Sequence, residues 1–154
     1  MAEASSNGRG LLGLTGGCLC GAVRYRTAAR PLHTSFCHCR MCQQATGGPF
    51  AVWCAFPAEG VAWIRGSPRL FRSSALAERG FCADCGTPLL FRYVEQPERL
   101  SLAAGSLDDP GQVTPERHWG IESRLPWPAL DDGLPGRRTE DDPAFQELMR
   151  KALE

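Results

Sequence analysis

The chain has 154 residues, 17 basic and 17 acidic, so its formal charge is zero. With 43% hydrophobic and 22% charged residues it is long enough for one domain with a buried core and too apolar for a disordered chain. The neutral balance argues against electrostatic capture of nucleic acid or an anionic membrane, and no apolar run approaches the ~20 residues of a membrane span.

Residues 1–13 are small, polar and glycine-containing and read as a flexible leader. They have no basic start and no apolar stretch long enough for an export signal, so a cytoplasmic, reducing setting is expected. There, clustered cysteines serve metal binding or catalysis rather than disulfides. Of the 17 basic residues only Lys151 is lysine, and the arginines are scattered along the chain, which fits a compositional bias better than a functional patch.

From Gly16 the pattern turns to strand, with Val23 and Tyr25 alternating with Arg24 and Arg26. A short helix is predicted over Arg40–Thr46, closed by Gly47-Gly48. The continuous apolar run Phe50–Phe56 predicts a strand buried on both faces, ending at the turn Pro57–Gly60. Val61–Arg65 and Arg69–Arg72 read as short strands split by Gly66-Ser-Pro68, a hairpin-like break. Leu89–Val94 and Leu100–Ala104 repeat the pattern around Gln96-Pro97-Glu98. Residues 14–128 form the expected domain, and 129–154 a linker followed by a helix. In that helix Asp142 caps, Pro143 suits the first turn, and Phe145, Leu148, Met149 and Ala152 form one apolar stripe expected to dock on the domain.

Seven of the eight cysteines fall in three groups: Cys18 and Cys20; Cys37, Cys39 and Cys42; Cys82 and Cys85. Cys82-x-x-Cys85-Gly86 is a knuckle whose sulfurs converge across a tight turn, and Cys18-x-Cys20-Gly21 supplies the second pair of a closed tetrahedral zinc site. Such a site is structural and couples folding to metal. The middle group has three thiolates, while Cys54 stands inside an apolar run and reads as a small buried hydrophobe. Three protein ligands and one free position is the pattern of a catalytic zinc near solvent. The alternative is a site closed by His38, His118 or an acidic side chain. Three thiolates on one zinc leave a net charge of −1, poorly suited to making hydroxide but able to keep a fourth, exogenous thiol deprotonated. That chemistry is attack of a thiolate on an electrophilic carbon, or its reverse, cleavage of a C–S bond.

These residues resemble the glutathione-dependent formaldehyde-activating enzyme family, which also contains centromere protein V. The matching pieces are Gly17–Val23, Cys37–Cys42 running into Gly47–Phe50, Arg79–Pro88, Ala104–Asp108 and His118–Trp127, in the family order over roughly residues 14–128. The resemblance implies a mainly β, β-tent fold of several small antiparallel sheets. It also implies two zinc ions per chain, the first on Cys18, Cys20, Cys82 and Cys85 and the second, of catalytic type, on Cys37, Cys39 and Cys42. The implied activity joins glutathione, as cosubstrate, to formaldehyde as S-hydroxymethylglutathione, within the wider class of carbon–sulfur lyases. The partners are then a small thiol and a small electrophile.

Around the second zinc the candidate substrate contacts are Arg40, Gln43, Phe50, Trp53, Ser73, Arg79 and Trp127. Arg40, beside a ligand, suits a substrate carboxylate. His118 is the candidate acid/base, because its charge changes near pH 7. Phe50 and Trp53 read more readily as core than as substrate contacts. The competing reading is a non-catalytic zinc module for protein or nucleic-acid interaction.

Overall fold

The computed structural model describes residues 13–128 and 133–154. The expected leader, Gly13 apart, and the start of the expected linker lie outside the described residues. Among these there are eleven strands in two sheets and two α-helices. The strands are β1 (Thr15–Gly17), β2 (Arg24–Thr27), β3 (His33–Cys37), β4 (Ala51–Pro57), β5 (Val61–Arg65), β6 (Arg69–Arg72), β7 (Ala77–Phe81), β8 (Pro88–Tyr93), β9 (Arg99–Ala103), β10 (Arg117–Trp119) and β11 (Gly136–Arg137). Helix α1 spans Arg40–Thr46 and α2 spans Pro143–Leu153. Among the described residues no helix is long and apolar enough to cross a membrane.

The fold is mainly β, as expected, but the strands do not divide into several small antiparallel sheets. A three-stranded sheet runs β1-β2-β5, and an eight-stranded one runs β11-β10-β3-β4-β9-β8-β7-β6. The large sheet is mixed, since β10 lies parallel to both β3 and β11. The break at Gly66-Ser-Pro68 is not a hairpin: β5 pairs with β2, whereas β6 pairs with β7. The turn at Gln96-Pro97-Glu98 does join paired strands, with Leu90 opposite Leu102 and Phe91 opposite Ser101.

The period of two along a strand divides the large sheet into two working faces. Cys54 and Phe56 of β4 point into the main core with Tyr25, Leu90, Leu100 and Leu102, packed beneath the small sheet. Ala51 and Trp53 point the other way, beside Cys37 and Cys42. This is why the Phe50–Phe56 run is apolar throughout: one face fills the core and the other backs the cysteines. Cys54 is fully buried on the core face and accepts a weak hydrogen bond from Thr34 Oγ1 at 3.7 Å.

Helix α2 docks as its stripe predicts. Leu148 is buried against Leu76 and Ala77, and Phe145, Met149 and Ala152 complete the contact with Phe91 and Tyr93. Asp142 caps it, its Oδ1 accepting from the Phe145 N–H at 2.8 Å.

Candidate metal centres and the adjoining cavity

The four-cysteine group is assembled by two turns. After β1, the Gly21 N–H donates to Cys18 O at 3.1 Å and the Cys18 N–H to Val23 O at 3.0 Å. After β7, the Gly86 N–H donates to Cys82 O at 2.9 Å, with Gly86 at φ 76°, a left-handed conformation that glycine adopts at no steric cost. The Leu19 N–H donates to Thr87 Oγ1 at 3.1 Å and ties the turns together. The four sulfurs lie within 4.8 Å of one another. Cys18 and Cys20 are 3.5 Å apart and Cys20 and Cys82 are 3.8 Å apart. A tetrahedron with ~2.3 Å zinc–sulfur arms has edges of ~3.8 Å, so the set fits a metal ion. The Val23 N–H donates to Cys18 Sγ at 3.2 Å, and the Thr87 hydroxyl leads the contacts that pull the Cys85 thiol down to about 5.

The three-cysteine group sits where β3 runs into α1. Cys37 ends β3, and Cys39 is the N-cap of α1, its sulfur accepting from the Cys42 N–H at 3.4 Å. These three sulfurs also lie within 4.8 Å of one another and could hold a metal ion. The Trp53 Nε1–H donates to Cys42 Sγ at 3.4 Å, and the Arg79 guanidinium approaches the same sulfur at 3.5 and 3.6 Å. Arg79 is itself buried, with its Cζ 5.1 Å from the Phe91 ring centroid. Hydrogen bonds from Cys37 and Cys39, then the Arg79 charge and the Trp53 N–H, pull the Cys42 thiol down to about 2. Hydrogen bonding with Cys39 and Cys42 pushes the Cys37 thiol up. Arg79 thus sets a positive charge beside Cys42, where three thiolates on one zinc would leave a net −1.

The expectation that the three-cysteine group lies near solvent holds only by way of a cavity. Cys37 and Cys42 are buried, while Cys20 of the four-cysteine group is exposed. The reason is topological: the three cysteines back onto the middle of the large sheet, whereas the four sit on turns that project from strand ends. A cavity of about 450 Å³ opens over the three cysteines, lined also by Arg40, Trp53, Arg79, Phe91, Tyr93 and Trp119. A second, of about 360 Å³, shares Met41, Trp53 and Arg79 with it and extends along β6 and β7.

Of the sequence candidates, Arg40, Trp53 and Arg79 line the larger cavity. Ser73 lines the adjoining one, its hydroxyl bonded to Ala77 O at 3.2 Å. Gln43 is buried, and its amide donates to His38 O at 2.8 Å and Ser123 O at 2.9 Å while accepting from Arg40 at 3.2 Å. Phe50 is on the opposite face of the sheet, edge-on to Phe36 at 5.1 Å. Trp127 is exposed and lines neither cavity.

His118 is not brought to the cavity. It is buried beside Phe36 on the opposite face of β10, its Nδ1 2.8 Å from His38 Nε2. Strand alternation is the cause: Trp119 pairs with Cys37 and Arg117 with Ser35 on the cavity face, so the residue between them faces away. The histidine that lines the cavity is His33, held below the usual histidine range by burial. Tyr93, Trp119 and Phe145 were not legible as site residues in the sequence. Burial pushes the Tyr93 phenol up, so it stays protonated.

Residues 13–123 match the glutathione-dependent formaldehyde-activating enzyme family. The chain belongs to this family. Among its relatives is an uncharacterised lyase of Schizosaccharomyces pombe, 33% identical over 78 residues, covering 51% of this chain and 56% of the yeast protein. The chain thus spans little more than half the length of that relative. A Halomonas elongata protein provisionally given the family's name is 27% identical over 128 residues, covering 77% of this chain and 81% of its own. The crystal structure of a Rhodobacter sphaeroides protein shares the fold, with a TM-score of 0.54 at 20% identity over 80% of this chain and all of that one. The family match ends at Ser123, so Trp127, β11 and α2 lie beyond it.

Proposed function

We propose that this family member is a zinc-dependent enzyme of carbon–sulfur lyase type, which forms or cleaves a thiol adduct such as S-hydroxymethylglutathione. Cys18, Cys20, Cys82 and Cys85 would hold a structural zinc, and Cys37, Cys39 and Cys42 a second one. The observation that carries this reading is the three-sulfur group facing a cavity while Cys54 points into the core on the opposite face of the sheet. When bound there, zinc supplies an anchor that keeps an exogenous thiol deprotonated.

The chain's own residues do the rest. Trp53 and Arg79 hold the Cys42 sulfur in place and offset its charge. In adduct formation a C–S bond forms as the carbonyl π bond breaks, and the oxygen takes a proton; cleavage reverses each change. The reading supported for the proton donor is Tyr93, half buried with its side chain lining the cavity, rather than His118, whose ring is turned toward His38. Arg40 and Arg117, both exposed on the cavity rim, suit the carboxylates of a thiol such as glutathione.

Cobalt substitution is the test. Glutathione should move the ligand-field bands of the metal at the three-cysteine group, and its S-methyl analogue should leave them unchanged. Bands indifferent to both would sink the thiol reading and favour a non-catalytic zinc module.

A further inference from the structure

The family match ends before the last part of the chain, yet that part returns to build the cavity. Strand β11 lies parallel to β10, placing Gly136 opposite His118 and Arg137 opposite Trp119, next to the row that holds Cys37. Thr139 Oγ1 donates to Glu122 Oε1 at 2.8 Å and fastens the segment to the domain, while Arg137 pairs with Asp142 at 2.7 Å within the segment.

Helix α2 then divides its apolar stripe between two tasks. Leu148, at 7% exposure, is the anchor on Leu76 and Ala77. Phe145, one turn earlier on the same stripe, is only half buried and lines the cavity. Its ring centroid lies 6.1 Å from that of Trp119 and 6.3 Å from that of Tyr93. Tyr93 meets Phe91 at 5.0 Å, and Phe91 meets Trp53 at 5.8 Å. Five rings thus run in series around a cavity with three sulfurs on its lining. Phe145 bridges the rings of β8 to the ring of β10.

We propose that this C-terminal segment makes the enzyme selective for substrates with a flat apolar group beside the reacting carbon–sulfur bond, and that Phe145 is the specificity-determining residue. The inference rests on the thiol reading above. Formaldehyde, with no substituent but hydrogen on its carbonyl carbon, is far smaller than the 450 Å³ of the cavity. A wall of rings meeting at tilted and edge-on angles offers both faces and edges to a further ring, a contact stronger than its buried area alone provides. The chemical class indicated is therefore an aryl or similarly flat apolar thiol, or its aldehyde adduct.

The test is calorimetric titration of the zinc-loaded full chain with phenylmethanethiol and with 2-mercaptoethanol. The aromatic thiol should bind at least ~10-fold tighter, and Phe145→Ala should reduce that ratio by ~5-fold or more. Phe145→Leu keeps an apolar contact for the helix but removes the ring, so it should also reduce the ratio; it decides the matter where Phe145→Ala lowers the helical circular dichroism. Equal binding of the two thiols, or a preference that survives both substitutions, overturns the aromatic wall and leaves the thiol reading standing. Binding of neither thiol also overturns the aromatic wall, and the response of the cobalt form to glutathione then decides the thiol reading.

Discussion

Both terminal nitrogens of the Arg79 guanidinium approach one sulfur, that of Cys42, at 3.5 and 3.6 Å. The pairing spans 37 residues of sequence and joins β7 to the first turn of α1. A buried cation is stable here because the cysteine cluster gives it a counter-charge and the Phe91 ring gives it a face. In return, Arg79 disperses the negative charge that would otherwise accumulate on the sulfur.

Arg79→Leu should therefore weaken metal retention by the three-cysteine group and lower turnover, each by ~10–100-fold, the usual effect of removing a partner that orients a metal ligand. Arg79→Lys should recover part of the loss, since it keeps the charge but not the fork. Competitive metal titration and steady-state kinetics read the two effects. Unchanged metal affinity in Arg79→Leu would show the contact to be incidental.

Gly120 is a second residue on which the cluster depends. It has φ 66°, and a Cβ there would lie 2.9 Å from the Cys39 nitrogen and 3.1 Å from the Cys39 Cβ. Gly120→Ala should cost ~1–2 kcal/mol for the left-handed backbone alone and should also displace Cys39. The expected result is a lower melting temperature together with loss of metal from the three-cysteine group. A variant that melts like the parent and keeps its metal would refute the close approach.

The two cysteine groups should fail differently. Cys82→Ser breaks a group that joins distant turns, and it should lower the melting temperature by ~10 °C or more. Cys39→Ser removes a sulfur from a local segment, and it should abolish at least ~100-fold of the activity with a melting shift below ~5 °C. Slow chelation of the parent should release metal from the three-cysteine group first, with the fold intact. Equal melting temperatures for the two variants would contradict the division into structural and catalytic centres.

Asp142 makes the docking of α2 sensitive to acid. Burial opposes its charge, but the Phe145 N–H and the Arg137 guanidinium outweigh it and hold the carboxyl below the usual carboxylate range. A depressed folded-state pKa means that the contribution is fully present above the unfolded value of ~3.9 and is lost as pH falls through the folded value. Asp142→Ala should cost roughly 0.5–2 kcal/mol at neutral pH as the cap is lost. Acid titration of the melting temperature should show the parent converging on the variant below pH ~3.9.

The sequence by itself determined what short spacing encodes. The grouping of Cys37, Cys39 and Cys42, the knuckle at Cys82 and Cys85, α1 with its glycine stop, and α2 with its cap and stripe are all local, so each is legible within a few residues. Strands β3 and β7 were missed because His33-Thr-Ser-Phe-Cys37 and Ala77-Glu-Arg-Gly-Phe81 each carry three successive polar, charged or glycine residues, which hide the alternation of a strand. They lie inside the sheet because partners on both sides satisfy their backbone groups. Tertiary structure alone decided which face each strand residue takes. A shift of one residue in β10 would have brought His118 to the cavity and sent Trp119 to the far side. That register is set by pairing with β3, more than 80 residues earlier in the chain, and the same long-range packing brings Arg79, Tyr93 and Phe145 around the cysteines. The cysteine groups were readable because their members are neighbours in sequence, and their surroundings were not because only the folded sheet makes them neighbours in space.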